Sequence, residues 1–388
     1  MRPDWDVVWL SDIPWAGLWQ RPQQLAVRFP ENARVLFVEP WTLGHAGTLR
    51  AEQVAPRVRR VSFPFLPLHA RSHGIRRAAY AMGSSLPITE TLFFVQRLLA
   101  SGLRRGADGP DGSAGKKRLA LVQNFMATPF LEALRPDRIV YDMIDAPLHF
   151  APVPPRLVPR WEGLLRRADR VVVTSDTLAK LATAAGARAA TFVGNGVEAD
   201  RFAPEKVAPA ALPGDPRVPA LGYVGSLHSW FDLPLVESLA RALPETRIVL
   251  VGPAPPETAS AVERATREHT NLFWMGPRPY AEVPAIVRAF RVGLIPFRRT
   301  PLTEAVNPVK LYEYAAAGIP CVTTRFTDEV EAWDGAVRVA EGGAEFIART
   351  QEALQSPADV PALVQFARRH DWDEIARRFV SICLEDAA

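Results

Sequence analysis

Short apolar runs, each closed by a polar, glycine or proline turn and followed by a helical stretch, recur along the whole chain. In the first half they fall at residues 7–11, 34–40, 119–123, 139–146, 170–175 and 189–197. In the second half they fall at residues 220–227, 248–253, 271–280, 292–297 and 321–324. Strands that are apolar almost throughout need cover on both faces, and crossover helices between parallel strands supply it. The pattern therefore predicts an α/β chain with two parallel sheets of the Rossmann-like kind, the first opening as β-α-β with a helix drawn from residues 14–26.

A chain of 388 residues has room for two domains with separate cores, and a hydrophobic fraction of 48% suits them. Residues 204–219, rich in proline and alanine, read as the linker. The expected division is 1–203, 204–369 and a terminal helical segment 370–388. Gly106 to Lys117 reads as a surface loop, because the sheet resumes directly after it. The net charge of +4 is too small to call for a nucleic-acid partner. Cys321 and Cys383 have no metal or redox spacing and read as core residues of a reducing compartment. With acids near Met1 and no apolar run of membrane-spanning length, the expected location is cytoplasmic. Between Arg71 and Arg105, arginines alternate with leucine and phenylalanine; such a segment can lie on an anionic membrane or be a solvated helix face.

The densest chemistry lies at residues 307–324. Asn307 is a good N-cap and Pro308 suits a first helical turn, so a helix is expected to start there, stopped by Gly318 and Pro320 ahead of a buried strand. The N–H groups of Val309, Lys310 and Leu311 would then face outward where the helix dipole favours an anion, and Lys310 adds a full charge. Glu313, one turn on, is placed to accept from a ribose diol. The same residues also fit an ordinary amphipathic unit with Lys310 and Glu313 as a solvated i, i+3 pair.

The run Asn-Pro-Val-Lys-Leu-Tyr-Glu-Tyr-x-Ala-Ala-Gly-x-Pro-x-Val resembles the donor-binding signature of GT-B glycosyltransferases, in particular bacterial enzymes of teichuronic acid and exopolysaccharide assembly. Further stretches resemble the same family. These are the first loop Trp-x-x-Leu-Trp-Gln-Arg-Pro-Gln-Gln-Leu, the strand Val-Tyr-Asp-x-x-Asp, the turn Asn195-Gly196-Val197, the donor-domain opening Tyr-Val-Gly-Ser-Leu and the final x-x-Trp-x-x-Ile-Ala. The resemblance implies a GT-B fold, two Rossmann-like domains facing a cleft, with the C-terminal helix crossing back to the N-terminal domain. It implies a hexosyltransferase-like enzyme using a nucleotide-diphosphate sugar such as a UDP-sugar as co-substrate, with no other cofactor, and a glycan or lipid-linked acceptor.

Residue by residue, the resemblance places the donor on Gly225, Ser226, Arg278, Tyr280, Asn307, Val309, Lys310, Leu311 and Glu313. Arg21, Gln23 and Asp142 fall on the acceptor or phosphate side, and Asp145 matches the position of the base in a similar glucuronosyltransferase. Each also has a plain structural reading: Arg21 as a helix cap, Asp142 or Asp145 as a turn or N-cap aspartate, Tyr280 as a helix start. The retaining members of the larger family carry two glutamates flanking seven residues. Here Glu313 is the second, while the first falls on Ala305, beside Glu304, which favours inversion assisted by a base. No Asp-x-Asp stands at a suitable strand end, so no metal site is expected and catalysis is expected to be metal-independent. The absence of Gly-x-Gly-x-x-Gly argues against the alternative of a dinucleotide-dependent oxidoreductase or epimerase, while a nucleotide-sugar-binding module without transfer activity stays open.

Overall fold

The computed structural model describes residues 5–16, 19–40, 51–63, 101, 116–150, 153, 155–333 and 335–385. The surface loop 106–115 and, apart from residue 101, the basic segment from Arg71 to Arg105 lie outside them. The chain forms two compact units, Met1–Gly194 together with Ala376–Ala388, and Asn195–Ile375.

The first unit is built on a sheet in the order β3-β4-β2-β1-β5-β6-β7-β8. Its strands are β1 (Trp5–Leu10), β2 (Ala33–Pro40), β3 (Glu52–Ala55), β4 (Val58–Phe63), β5 (Lys117–Val122), β6 (Arg138–Met143), β7 (Arg170–Val173) and β8 (Thr191–Phe192). All neighbours are parallel except β3 and β4. Val7 of β1 sits opposite Val35 on one side and Leu119 on the other, so chain order reverses at β1/β5. At such a reversal the loops leaving the strand ends part and leave a crevice. The helices of this unit are α1 (Arg21–Ala26), α2 (Thr128–Leu134), α3 (Pro147–Phe150), α4 (Val158–Arg167) and α5 (Asp176–Ala184). Ser175 caps α5, its hydroxyl accepting the Leu178 N–H at 3.1 Å.

Two local features refine the sequence reading. Within 14–26 the helix is confined to Arg21–Ala26, because Gln23 spends its side chain on the preceding loop: Nε2 donates to the Pro14 and Trp15 carbonyls at 3.1 and 3.3 Å, and Oε1 accepts the Gln20 N–H at 3.2 Å. The antiparallel pair β3/β4 was not anticipated. Fully buried Trp9 centres the core, its ring 6.1, 6.0 and 6.2 Å from those of Phe29, Phe37 and Phe379.

The second unit has a fully parallel sheet in the order β11-β10-β9-β12-β13-β14. Its strands are β9 (Ala220–Val224), β10 (Arg247–Val251), β11 (Leu272–Trp274), β12 (Val292–Ile295), β13 (Cys321–Thr324) and β14 (Val337–Ala340). The helices are α6 (Ala199–Phe202), α7 (Leu233–Ala242), α8 (Pro256–Glu268), α9 (Val283–Arg288), α10 (Val309–Ala316), α11 (Gly343–Gln355) and α12 (Val360–Arg369). A last helix, α13 (Trp372–Leu384), begins in this unit and supplies the first with residues from Ala376 on. Here chain order reverses at β9/β12.

The division falls at Gly194/Asn195, so the proline-rich 204–219 stretch belongs to the second unit. The reason is a seam that ties residues 195–199 to the end of that unit. Val197 exchanges backbone bonds with His370 and Trp372 at 3.0 Å each, and Asp371 accepts the Ala199 N–H at 3.0 Å. A side chain at Gly196 would put its Cβ 2.5 Å from the His370 carbonyl oxygen, so only glycine allows this approach.

Candidate functional site: an anion cradle at the reversal of the second sheet

Helix α10 follows the loop leaving β12, and its first turn stands against the loop leaving β9. Tyr314, fully buried, locks it in place: the phenol oxygen accepts the Val224 N–H at 3.1 Å and lies 3.4 Å from the carbonyls of Gly222 and Leu294. One side chain thereby joins α10 to β9 and β12. At the far end the Ile319 N–H returns to the Tyr314 carbonyl at 2.9 Å, the stop expected at Gly318.

Asn307 is not the N-cap. Pro308 occupies that position without a side-chain cap, which moves Asn307 one residue out of the helix. Its Oδ1 accepts the Asn195 N–H at 2.9 Å and the Tyr312 hydroxyl at 3.1 Å, while its carbonyl accepts from Asn195 Nδ2 at 2.7 Å. Asn307 is a brace. Leu311 is also corrected as an anion donor, since its N–H is spent on the Pro308 carbonyl at 3.2 Å. Val309 and Lys310, at the first two helical positions, have no intrahelical acceptor for theirs.

Lys310 is half-buried, its ammonium 4.8 Å from the centre of the Phe297 ring and 5.4 Å from that of Tyr223. Gly225 has φ +150°, and a Cβ there would stand 3.0 Å from the Tyr223 hydroxyl and 3.1 Å from Lys310 Cε. The missing side chain keeps the space above the ammonium open. The Tyr223 hydroxyl donates to the Ser226 carbonyl at 2.9 Å, so Gly225, Ser226 and Lys310 are brought together. Burial among these rings lowers the Lys310 pKa to about 8, with Glu313 acting the other way.

Glu313 is 7% exposed, and burial pushes its pKa up to about 7; Lys310 opposes that shift and Glu198 adds to it. Among the described residues neither Lys310 nor Glu313 has an ion-pair partner. Two opposite charges, each shifted toward neutrality and without an ion-pair partner among the described residues at a sheet reversal, make this the candidate site.

Tyr280 joins this group: its ring lies under the Arg201 guanidinium at 4.6 Å, and its hydroxyl bonds Glu198. Burial raises its pKa, and the carboxylates of Glu313 and Glu198 add to the rise. Arg278 is exposed, and no contact among the described residues draws it in. Glu198, Arg201, Tyr223, Phe297 and Tyr314 were missed by sequence reasoning. Glu198 directly follows the Asn-Gly-Val turn and Arg201 comes four residues after it, while Tyr223 and Tyr314 lie inside the quoted motifs.

In the first unit Arg21 and Asp142 are joined to each other. The guanidinium, 3% exposed, holds the fully buried carboxylate through Nε at 3.2 and 3.1 Å and Nη2 at 3.0 Å. Gln123 donates to the same carboxylate at 2.9 Å, and Arg21 Nη1 donates to the Gly194 carbonyl at 2.8 Å. Breaking such a buried pair costs about 3–5 kcal/mol. Both side chains, like Gln23, are thus engaged in holding strand and loop. Asp145 stands half-buried in the turn after β6. Its charge, with those of Asp12 and Asp142, bears on the buried Tyr141 hydroxyl. Asp12, at the end of β1, is an acid that sequence reasoning did not select.

Residues 218–356 match the family model for glycosyl transferases group 1. The chain carries a group 1 glycosyltransferase domain. That domain contains β9 to β14 and the whole α10 cradle. Over 291 residues the chain is 28% identical to TuaH of Bacillus subtilis (strain 168), assigned to teichuronic acid biosynthesis as a glycosyltransferase, covering 69% of this chain and 72% of that one. Among solved structures, sucrose-phosphate synthase from Thermosynechococcus elongatus superposes with a TM-score of 0.69 at 14% identity, covering 97% of each chain. A trehalose-6-phosphate structure from E. coli bound with UDP-2-fluoro glucose gives 0.68 at 16% identity, over 98% of this chain and 99% of that one. The fold shared with these structures is GT-B. No helix among the described residues is long and apolar enough to cross a membrane.

Proposed function

We propose that the protein transfers a hexosyl group from a nucleoside-diphosphate sugar to a hydroxyl of a cell-surface glycan intermediate, a lipid-linked or polysaccharide acceptor, without a catalytic metal. The observation that carries the reading is the unpaired Lys310–Glu313 pair on α10 beside Gly225. In this reading the diphosphate meets the Val309 and Lys310 N–H groups and the Lys310 ammonium, and Glu313 accepts from the ribose. The similarity to a teichuronic acid glycosyltransferase and to a fold bound with a UDP-sugar analogue supports the substrate class.

The acceptor oxygen forms its bond to the anomeric carbon as the bond from that carbon to the diphosphate oxygen breaks. The hydroxyl proton passes to a carboxylate, assigned to Asp145, and the charge growing on the diphosphate is offset by the α10 donors. Inversion is the proposed outcome. Ala305, buried, stands where the retaining pattern has its first glutamate, and neighbouring Glu304 is committed to Arg299 at 2.7 Å.

A thermal-shift panel of UDP-, GDP-, dTDP- and ADP-sugars tests the reading, because a ligand that binds only the folded state raises its melting temperature. One nucleotide series is expected to raise it. No rise with any of them at millimolar concentration contradicts a nucleotide-sugar enzyme.

A further inference from the structure

Strands β9, β10 and β11 are consecutive, parallel and adjacent, so the right-handed crossovers between them place α7 and α8 side by side on one face of the second sheet. At the C-terminal end of α8 two chemistry-bearing residues meet one from the middle of α7. Glu237, Glu268 and His269 each present a ligand-type atom, and these atoms all lie within 4.8 Å of one another. The backbone holds His269 firmly: its N–H reaches the Ala265 carbonyl at 3.0 Å, and its own carbonyl accepts the Leu272 N–H at 3.1 Å.

The imidazole Nε2 is buried and has no hydrogen-bond partner among the described residues. A buried polar nitrogen left this way carries a desolvation cost that nothing in the protein offsets. No ion pair joins the ring to either carboxylate. A first-row cation sits about 2.0–2.2 Å from nitrogen and oxygen ligands and would engage the lone pair that no group among the described residues takes up.

We infer that Glu237, Glu268 and His269 bind one divalent transition-metal cation, zinc by the chemistry of the set, which ties α8 to α7. The imidazole favours a transition metal over calcium or magnesium, and two carboxylates balance its charge. A water takes the fourth position of a tetrahedral site. Glu268 is exposed and swings inward to close the set. Arg264, 3.5 Å from one Glu237 oxygen, is a half-exposed surface side chain that can turn to solvent, leaving the carboxylate to the metal. None of these residues belongs to the α10 cradle, so the ion is a structural cross-link and not part of the proposed transfer.

The test is a calorimetric titration of zinc alone into the full-length, tag-free protein in a non-chelating buffer near neutral pH, repeated with His269→Gln, Glu237→Gln and Glu268→Gln. One equivalent is expected to bind and to raise the melting temperature. Each substitution is expected to weaken binding by at least about 10–100-fold, since loss even of second-layer partners costs that much. Undiminished zinc affinity in the variants, or no heat and no thermal rise in the parent at submillimolar zinc, overturns the assignment. Glu268→Gln changes an exposed side chain and keeps the test valid if a substitution at the more buried positions fails to fold. The nucleotide panel on the same proteins reads the proposed transfer separately, so failure of one does not imply failure of the other.

Discussion

Burial holds the Lys310 ammonium down to about 8 and pushes the Glu313 carboxyl up to about 7. For Glu313 the folded chain holds the proton more tightly than the unfolded chain, so its contribution to stability is present at low pH and is lost as pH rises through about 7. For Lys310 the unfolded chain holds the proton more tightly, so stability is lost as pH falls through about 8. The pair therefore destabilises the free protein most between these values, where both are charged. A diphosphate beside Lys310 reverses the cost by favouring the protonated amine. Nucleotide binding at pH 8 is thus expected to take up protons, about half of one per site, read from binding enthalpies in buffers of different ionisation heat. Lys310→Ala should abolish the uptake; an uptake that persists in that variant places the anion elsewhere. Asp145 belongs to the same scale. A general base contributes about 10²–10⁴-fold, so if the proposed role holds, Asp145→Asn should lower turnover by that order with nucleotide affinity nearly intact. Turnover within a few-fold of the parent would move the role to another group.

At the scale of elements the cradle depends on how α10 is fixed to the sheet. In Tyr314→Phe the Val224 N–H loses its acceptor and the phenol's approach to Gly222 and Leu294 is gone. A cost of about 1–3 kcal/mol is expected in urea unfolding, with weaker nucleotide binding as the β9 end and α10 come apart. An unchanged midpoint would mean that ring packing alone holds the helix. The apolar strands of both sheets were legible because a strand buried on both faces must be apolar along its length. The β3/β4 pair was not, since Glu52–Ala55 is at best half-buried and the Arg59–Arg60 pair breaks any alternation in β4. The place of Lys310 and Glu313 on a helix start was legible from Pro308 and the residues that follow it. The task of Asn307 was not, because capping preference is a local rule and its partner Asn195 lies 112 positions away. Arg21 and Asp142, separated by 121 positions, were read one at a time as ligand groups, and no spacing reveals that they are spent on each other.

For the whole molecule the central claim is that a GT-B chain with a group 1 domain uses the α10 cradle to bind a nucleoside diphosphate. The family match, residues 218–356, lies within the second unit, while Asp145 and the Arg21–Asp142 clamp lie in the first. The most direct measurement is a calorimetric titration of the full chain and of its Lys310→Ala and Glu313→Ala variants with the nucleoside diphosphate selected by the thermal panel. Each lost charge-assisted bond is worth roughly 1.5–3 kcal/mol, so each variant should bind about ten- to a hundredfold more weakly while melting as a folded protein. Nucleotide affinity equal to the parent's in either variant would contradict the account.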